Sequence, residues 1–201
     1  MAVDIEIDVE TLKCEIKKTY ASVSEEPEKD FIFPTGRAWA LVLDYPPALL
    51  ERVPAAAAES FAGVANPFSL GPLAPGEDVL DVGSGAGTDS LIAAQMVAPG
   101  GGVTGIDMTP EMLAKSRLNA DEMGISNVQF VEGEAEHLPF PHESFDVVIS
   151  NGVIDLVPDK DAVYSEIFRV LRPGGRVQIA DVTIQVPVSE EGRRKIDLWT
   201  G

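Results

Sequence analysis

The residues of this 201-residue chain whose types and spacing could do chemistry cluster between positions 81 and 155. The run DVGSGAG, Asp81 to Gly87, ends a short apolar stretch and opens a helical one. Gly83, Gly85 and Gly87 in such a turn let backbone pass close to a ligand where a Cβ would obstruct it. The spacing is GxGxG, with Thr88 where the third glycine of the dinucleotide fingerprint GxGxxG would fall, so nicotinamide and flavin cofactors are disfavoured. A tight connection with no ligand is the competing reading. Asp107 ends the next apolar strand, 26 residues after Asp81. A carboxylate there can accept hydrogen bonds from both hydroxyls of a ribose, or it can cap the helix that follows. Glu134, in GEAEHLPF, with the backbone N–H of Ala135, could read the polar edge of an adenine, or Glu134 could be a solvated loop acid. Together, at the carboxyl ends of adjacent strands, these residues point to a nucleoside-bearing ligand.

The elements that must hold them are legible from residue 77 onward. DVLDV (78–82), GVTGID (102–107), VQFVEG (128–133), FDVVISN (145–151) and RVQIADV (176–182) read as strands. Helices are predicted between them at 88–97, from Pro110 to Gly124 with Thr109 as N-cap, and at 159–171, with RPGG as a turn before the last strand. Strands alternating with helices predict an α/β, doubly wound, parallel sheet with helices on both faces. Met96, Met112 and Met123 fall in these helices and read as core. Upstream, residues 31–76 carry Phe31, Phe33, Trp39, Tyr45, Phe61 and Phe68 among prolines and predict a helical cover over one end of the 77–201 domain. Residues 1–30, with nine acids and four bases, predict a loosely docked acidic arm containing a helix near Val9 to Tyr20.

Fifteen basic against thirty-three acidic residues give a net charge of −18, a field that repels phosphate backbones and anionic lipid surfaces, so neither nucleic acid nor membrane is an expected partner. Cys14 is the single cysteine, no run approaches the roughly 18 apolar residues of a membrane span, and the acidic amino terminus is no secretory signal. A cytoplasmic protein is expected. No metal-ligand set is apparent, and His137 and His142, flanking Pro139 and Pro141, read as solvated.

DVLDVGSGAG, GIDMTPEML, GEAEHLPF, FDVVISNGVIDLVPD and VLRPGGRV, in that order, resemble the successive motifs of class I S-adenosylmethionine-dependent methyltransferases. The resemblance implies transfer of a methyl group from S-adenosylmethionine to a small-molecule acceptor, leaving S-adenosylhomocysteine. It implies that Asp81 and Gly83, Ser84, Gly85 and Gly87 hold the methionine moiety, Asp107 the ribose, Met108 a face of the adenine, and Glu134 with Ala135 its edge. Glu134 departs from the usual Asp. Ser150 and Asn151 would lie near the transferable methyl, and Tyr20 could fold over the cofactor or simply pack. Should the acceptor have to lose a proton, Asp155, four residues beyond Asn151, is the candidate base, a solvated loop acid being the alternative.

A narrower resemblance, through YPPALLERVPAAAAESFAGVANPFSLGPLAPGE and SNGVIDLVPDKDAVYSEIFRVLRPGG, is to the arsenite methyltransferases, which bind As(III) through cysteine thiolates. The resemblance implies that one of these cysteines belongs where Gly152 stands; Val64 and Gly152 supply no sulfur, and one cysteine cannot assemble a three-thiolate site. A methyltransferase of another small acceptor, or a nucleoside-binding protein without catalysis, is therefore preferred. The family's sixth and seventh strands need about forty residues, whereas nineteen follow Val182. The expectation is a five-stranded sheet in the order 3-2-1-4-5 with Val177 to Val182 at an edge. That edge belongs to a truncated chain, is shielded by the tail or a partner, or pairs two copies into a homodimer.

Overall fold

The computed structural model describes residues 8–186, 188, 189 and 195–199. Helix α1 spans Val9–Glu25, opened by the Asp8 carboxylate, which accepts the Thr11 N–H at 2.9 Å. Leu12, Ile16 and Val23 fall on one face and are buried, as helical spacing requires. The helix therefore continues five residues past Tyr20 and is packed against the body of the chain instead of hanging loosely from it. Three short helices follow, α2 (Gly36–Val42), α3 (Pro47–Leu50) and α4 (Ala55–Glu59). They enclose an aromatic knot in which Tyr45 meets Phe61 edge-on at 5.2 Å and Phe68 at 6.3 Å.

The α/β body runs β1 (Asp78–Val82), α5 (Thr88–Val97), β2 (Gly102–Asp107), α6 (Pro110–Met123), β3 (Val128–Glu132), β4 (Phe145–Asn151), α7 (Lys160–Val170) and β5 (Leu171–Ala180). The sheet is parallel throughout in the order β3-β2-β1-β4-β5. Alternation along β1 explains its continuous apolar run. Val79 packs with Ala93, Ala94 and Val97 on one face, and Leu80 and Val82 pack with Val163, Ile167 and Val170 on the other. Val82 is level with Ile106 on one side and Ser150 on the other, so the carboxyl ends of β1, β2 and β4 open onto one crevice. In doubly wound sheets that crevice is where ligands bind.

Three local readings change. Thr109 does sit at the N-cap of α6, but its side chain makes no capping bond; the Asp107 carboxylate takes the Thr109 N–H instead, at 2.8 Å. RPGG is an irregularity inside β5 and not a turn before it: Phe145 pairs with Leu171, yet Val147 pairs with Arg176. Pro173 has no N–H for the ladder and Gly174 adopts φ +84°, so the extra residues are extruded. Nor does β5 reach Val182, because Asp181 turns its carboxylate onto the Ile154 N–H at 2.9 Å.

Among the described residues no strand pairs with the outer edge of β5. The Gln178 amide donates to the Gly71 carbonyl at 2.7 Å, which brings the Pro67–Leu70 turn against the strand, while Val182, Ile184 and Val186 are exposed. Residues 187, 190–194, 200 and 201 of the segment expected to shield that edge lie outside the described residues. Among the described residues no helix is long and apolar enough to cross a membrane.

Candidate functional site

The glycine turn is built from β1 onto β2. The N–H groups of Gly83 and Ser84 both donate to the Ile106 carbonyl, at 2.8 and 3.0 Å. That pull bends the chain into positive φ, +73° at Gly83 and +52° at Gly85, where an L side chain is strained. A Cβ on Gly83 would collide with Val153, whereas one on Gly85 would meet nothing nearer than the Met112 sulfur at 3.9 Å and would point into open space. That space is a cavity lined by the turn together with Asp81, Asp89, Asp107, Met108, Glu134, Ala135 and Asn151, roofed by Ile16 and Tyr20 of α1, and closed at one end by Gly152, Val153 and Leu156 to Pro158.

Two carboxyl groups sit deep in its wall. Asp81 is 2 % exposed and accepts the Ser90 hydroxyl at 2.6 Å. Asp89, in the first turn of α5, is 7 % exposed, with Oδ1 accepting the Tyr45 hydroxyl at 2.6 Å and Oδ2 the Asn151 amide at 3.0 Å. Loss of water raises both, Asp81 to about 8 with the Asp89 charge adding to the shift, and Asp89 to about 6 against the pull of its two donors. Asp107 is raised by the same desolvation, opposed by the N–H groups of Thr109 and Gly85, the latter 2.9 Å from its Oδ2. Each Asp107 oxygen has a backbone partner and a lone pair left for a ligand hydroxyl.

Asp81 yields a prediction. Its folded carboxyl holds a proton well above the 3.8 of an unperturbed Asp, so between about pH 4 and pH 8 the folded state binds more protons than the unfolded one. Its contribution to stability therefore falls as pH rises through that window. Asp81→Asn should flatten the decline of the ligand-free melting temperature between about pH 5.5 and pH 8 relative to the parent chain. Parallel curves would mean that the buried charge is otherwise compensated.

Asn151 braces the far wall. Its carbonyl oxygen accepts the N–H groups of Val64 and Ala65 at 2.8 and 3.2 Å, and its amide donates to the Ala65 carbonyl at 2.8 Å as well as to Asp89. At the opposite end, Lys13 of α1 lies 2.7 Å from Glu134 and 3.1 Å from Glu136. This pairing holds the Glu134 carboxyl below the usual carboxylate range. Tyr20 lines the cavity and also stacks on Phe33 at 5.8 Å.

Of the residues singled out in the sequence, Asp81, Gly83, Ser84, Gly85, Asp107, Met108, Glu134, Ala135 and Asn151 line this one cavity. Two do not. Gly87 is turned toward the Phe130 ring and Ser116, 3.0 and 3.2 Å from where its Cβ would be. Ser150 is fully buried and donates to the Val82 carbonyl at 3.1 Å. Asp155 is also absent from the wall, although its neighbours Val153, Leu156 and Val157 belong to it. Among the described residues its Oδ1 is buried without a hydrogen-bond partner, and burial beside the Asp181 carboxyl raises it to about 7. The sequence reading missed Asp89, Lys13 and Ile16. For Asp89 the available signal was an acid directly following Gly87-Thr88, in a helix with no other charged residue.

Val64 and Gly152 are neighbours, with a Val64 methyl 3.1 Å from where a Gly152 Cβ would stand. Cys14 is exposed on α1 and does not line the cavity.

Residues 73–198 match a family described as a methyltransferase domain. The chain is 50% identical over 139 residues to an arsenite methyltransferase of Halobacterium salinarum, covering 69% of this chain and 36% of that protein. It is 39% identical over 108 residues to a demethylmenaquinone methyltransferase of Listeria welshimeri, covering 54% of this chain and 46% of the relative. The crystal structure of an arsenic(III) S-adenosylmethionine methyltransferase from Chlamydomonas reinhardtii superposes with a TM-score of 0.60 at 37% identity, covering 79% of this chain and 52% of that one. The chain thus spans less than half the length of the curated relatives it matches here.

Proposed function

The chain belongs to the class I S-adenosylmethionine-dependent methyltransferases, and on that footing we propose that it transfers a methyl group from S-adenosylmethionine to a small-molecule acceptor other than arsenite. The observation that carries the reading is the cavity at the carboxyl ends of β1, β2 and β4, which joins a glycine cradle to two buried carboxyl groups. The residues present fit the cofactor. Gly85 leaves room for it, Asp107 has acceptor capacity for ribose hydroxyls, and the wall of Asp81 and Asp89 suits a positively charged amino-acid end. When bound, S-adenosylmethionine supplies a methyl group on a cationic sulfur.

The chain's own work is then positioning and exclusion of water. Glu134 and Ala135 face the end of the cavity proposed for the base. Asn151 fixes the 63–66 segment beside the proposed acceptor end, where Val153, Leu156 and Val157 present apolar surface. Holding an acceptor in line with a methyl carbon supplies much of the acceleration such a reaction needs. Asp155 is the base we propose should the acceptor have to lose a proton, although its side chain does not line the cavity; a pH–rate profile unchanged in Asp155→Asn would remove it from the reaction.

The named relatives favour arsenite as a second reading. Against it stand Val64 and Gly152 side by side at the acceptor end and an exposed Cys14 outside the cavity, since trivalent arsenic requires thiolates. Incubation with S-adenosylmethionine and a panel of phenolic, amine, thiol and arsenite acceptors should give S-adenosylhomocysteine with an organic acceptor and no methylated arsenic. Robust methylation of arsenite by Cys14→Ser would overturn the choice of acceptor. Cofactor binding without turnover on any acceptor would favour the non-catalytic alternative.

A further inference from the structure

We propose, on the cofactor reading above, that Asp89 is a specificity-determining residue which senses the positive charge on the cofactor's sulfur, strengthening the binding of the sulfonium form and adding little to that of the neutral thioether product. Asp81 and Asp89 both line the cavity and are almost fully buried. Among the described residues Lys13 is the one basic side chain in the lining, and it is paired with Glu134 and Glu136 at the other end. The Asp89 carboxylate therefore has no resident counter-charge, and a buried carboxylate without one favours an occupant that carries it.

The two carboxyl groups are suited to different cations. Both Asp89 oxygens already accept a neutral donor, from Tyr45 and from Asn151. These donors fix the carboxylate and leave its charge intact. A sulfonium has no N–H or O–H to offer and is recognised by field alone, which a carboxylate with its hydrogen bonds already placed can supply. Asp81 accepts the Ser90 hydroxyl on Oδ2 and, with about four acceptor positions on a carboxylate, retains capacity for an ammonium group. Methyl transfer moves a methyl group from sulfur to the acceptor and leaves the sulfur neutral, so the contribution from Asp89 disappears at the step where product must leave.

The groups facing Asp89 are Tyr45, Asn151 of β4 and Asp81 of β1; Asp81 also faces Ser90 and Asp107. None is cationic, so acid should discharge Asp89 with nothing nearby to replace its field. Burial places that event at about pH 6 in the ligand-free chain.

Calorimetric titration with S-adenosylmethionine, with sinefungin, whose amine carries a positive charge near the sulfonium position, and with S-adenosylhomocysteine tests this. At pH 7.5, Asp89→Asn should weaken the first two at least tenfold and the third less than threefold. In the unmodified chain, independently of whether that variant folds, the affinity of S-adenosylmethionine relative to S-adenosylhomocysteine should fall at least threefold between pH 7.5 and pH 5.5. Equal losses for all three ligands in the variant, or a ratio that does not move with pH, would overturn the role of Asp89 while leaving the cofactor assignment standing. Failure of the unmodified chain to bind any of the three would overturn both.

Discussion

Gly85→Val is expected to bind S-adenosylhomocysteine at least a hundredfold more weakly than the parent chain while still melting cooperatively. Gly85 sits at φ +52°, a conformation that costs an ordinary L residue about 1–2 kcal/mol and a β-branched one more. That cost alone would lower stability without touching affinity. The loss of affinity comes from the other side of the residue. The Cβ position opens into the cavity, with Met112 no closer than 3.9 Å, so valine methyl groups would fill the volume the ligand must cross. The Gly85 N–H also donates to Asp107, and a distorted turn would move that carboxylate as well. Wild-type affinity in a folded Gly85→Val protein would mean that no ligand crosses this turn.

Asp107→Ala is expected to weaken the same ligand by about 1.5–3 kcal/mol, the usual loss for hydrogen bonds to a charged group, or roughly ten- to 150-fold. Asp107 does two jobs in the ligand-free chain, accepting the Gly85 N–H and the Thr109 N–H. Alanine removes the ribose acceptor and frees both backbone groups. Asp107→Asn, which keeps one oxygen, should fall between the two. Calorimetry decides between the competing roles of this residue: unchanged affinity with a lowered melting temperature would make Asp107 a cap for α6 and nothing more.

What the sequence could reveal followed from how local the signal was. The five strands and their order were readable because each apolar run is short, alternates with a helical segment and ends in turn chemistry, as at Asp81 to Gly87 and at Asp107 to Pro110. That Asp81, Gly85 and Asp107 meet at one cavity was readable for the same reason, since a parallel sheet brings the carboxyl ends of β1 and β2 together whatever the rest of the chain does. Asp89 escaped notice because its partners Tyr45 and Asn151 are 44 and 62 residues away, and no spacing rule links them. Lys13 and Ile16 escaped because α1 reads as an acidic surface helix until Leu12, Ile16 and Val23 are seen to be buried. Gly87 and Ser150 were grouped with the site by position in a motif, yet the Cβ position of Gly87 faces Phe130 and the Ser150 hydroxyl donates to the Val82 carbonyl. The RPGG segment misled because proline and glycine signal a turn equally well inside a strand that bulges.

The most direct test is a crystal structure of the chain with S-adenosylhomocysteine. The nucleoside should lie across Gly85 with its ribose hydroxyls on Asp107 and its base beside Met108, Glu134 and Ala135. The amino-acid end should face Asp81 and Asp89. A ligand bound outside this cavity, or one inside it with the base against the Asp81 and Asp89 wall, would contradict the account.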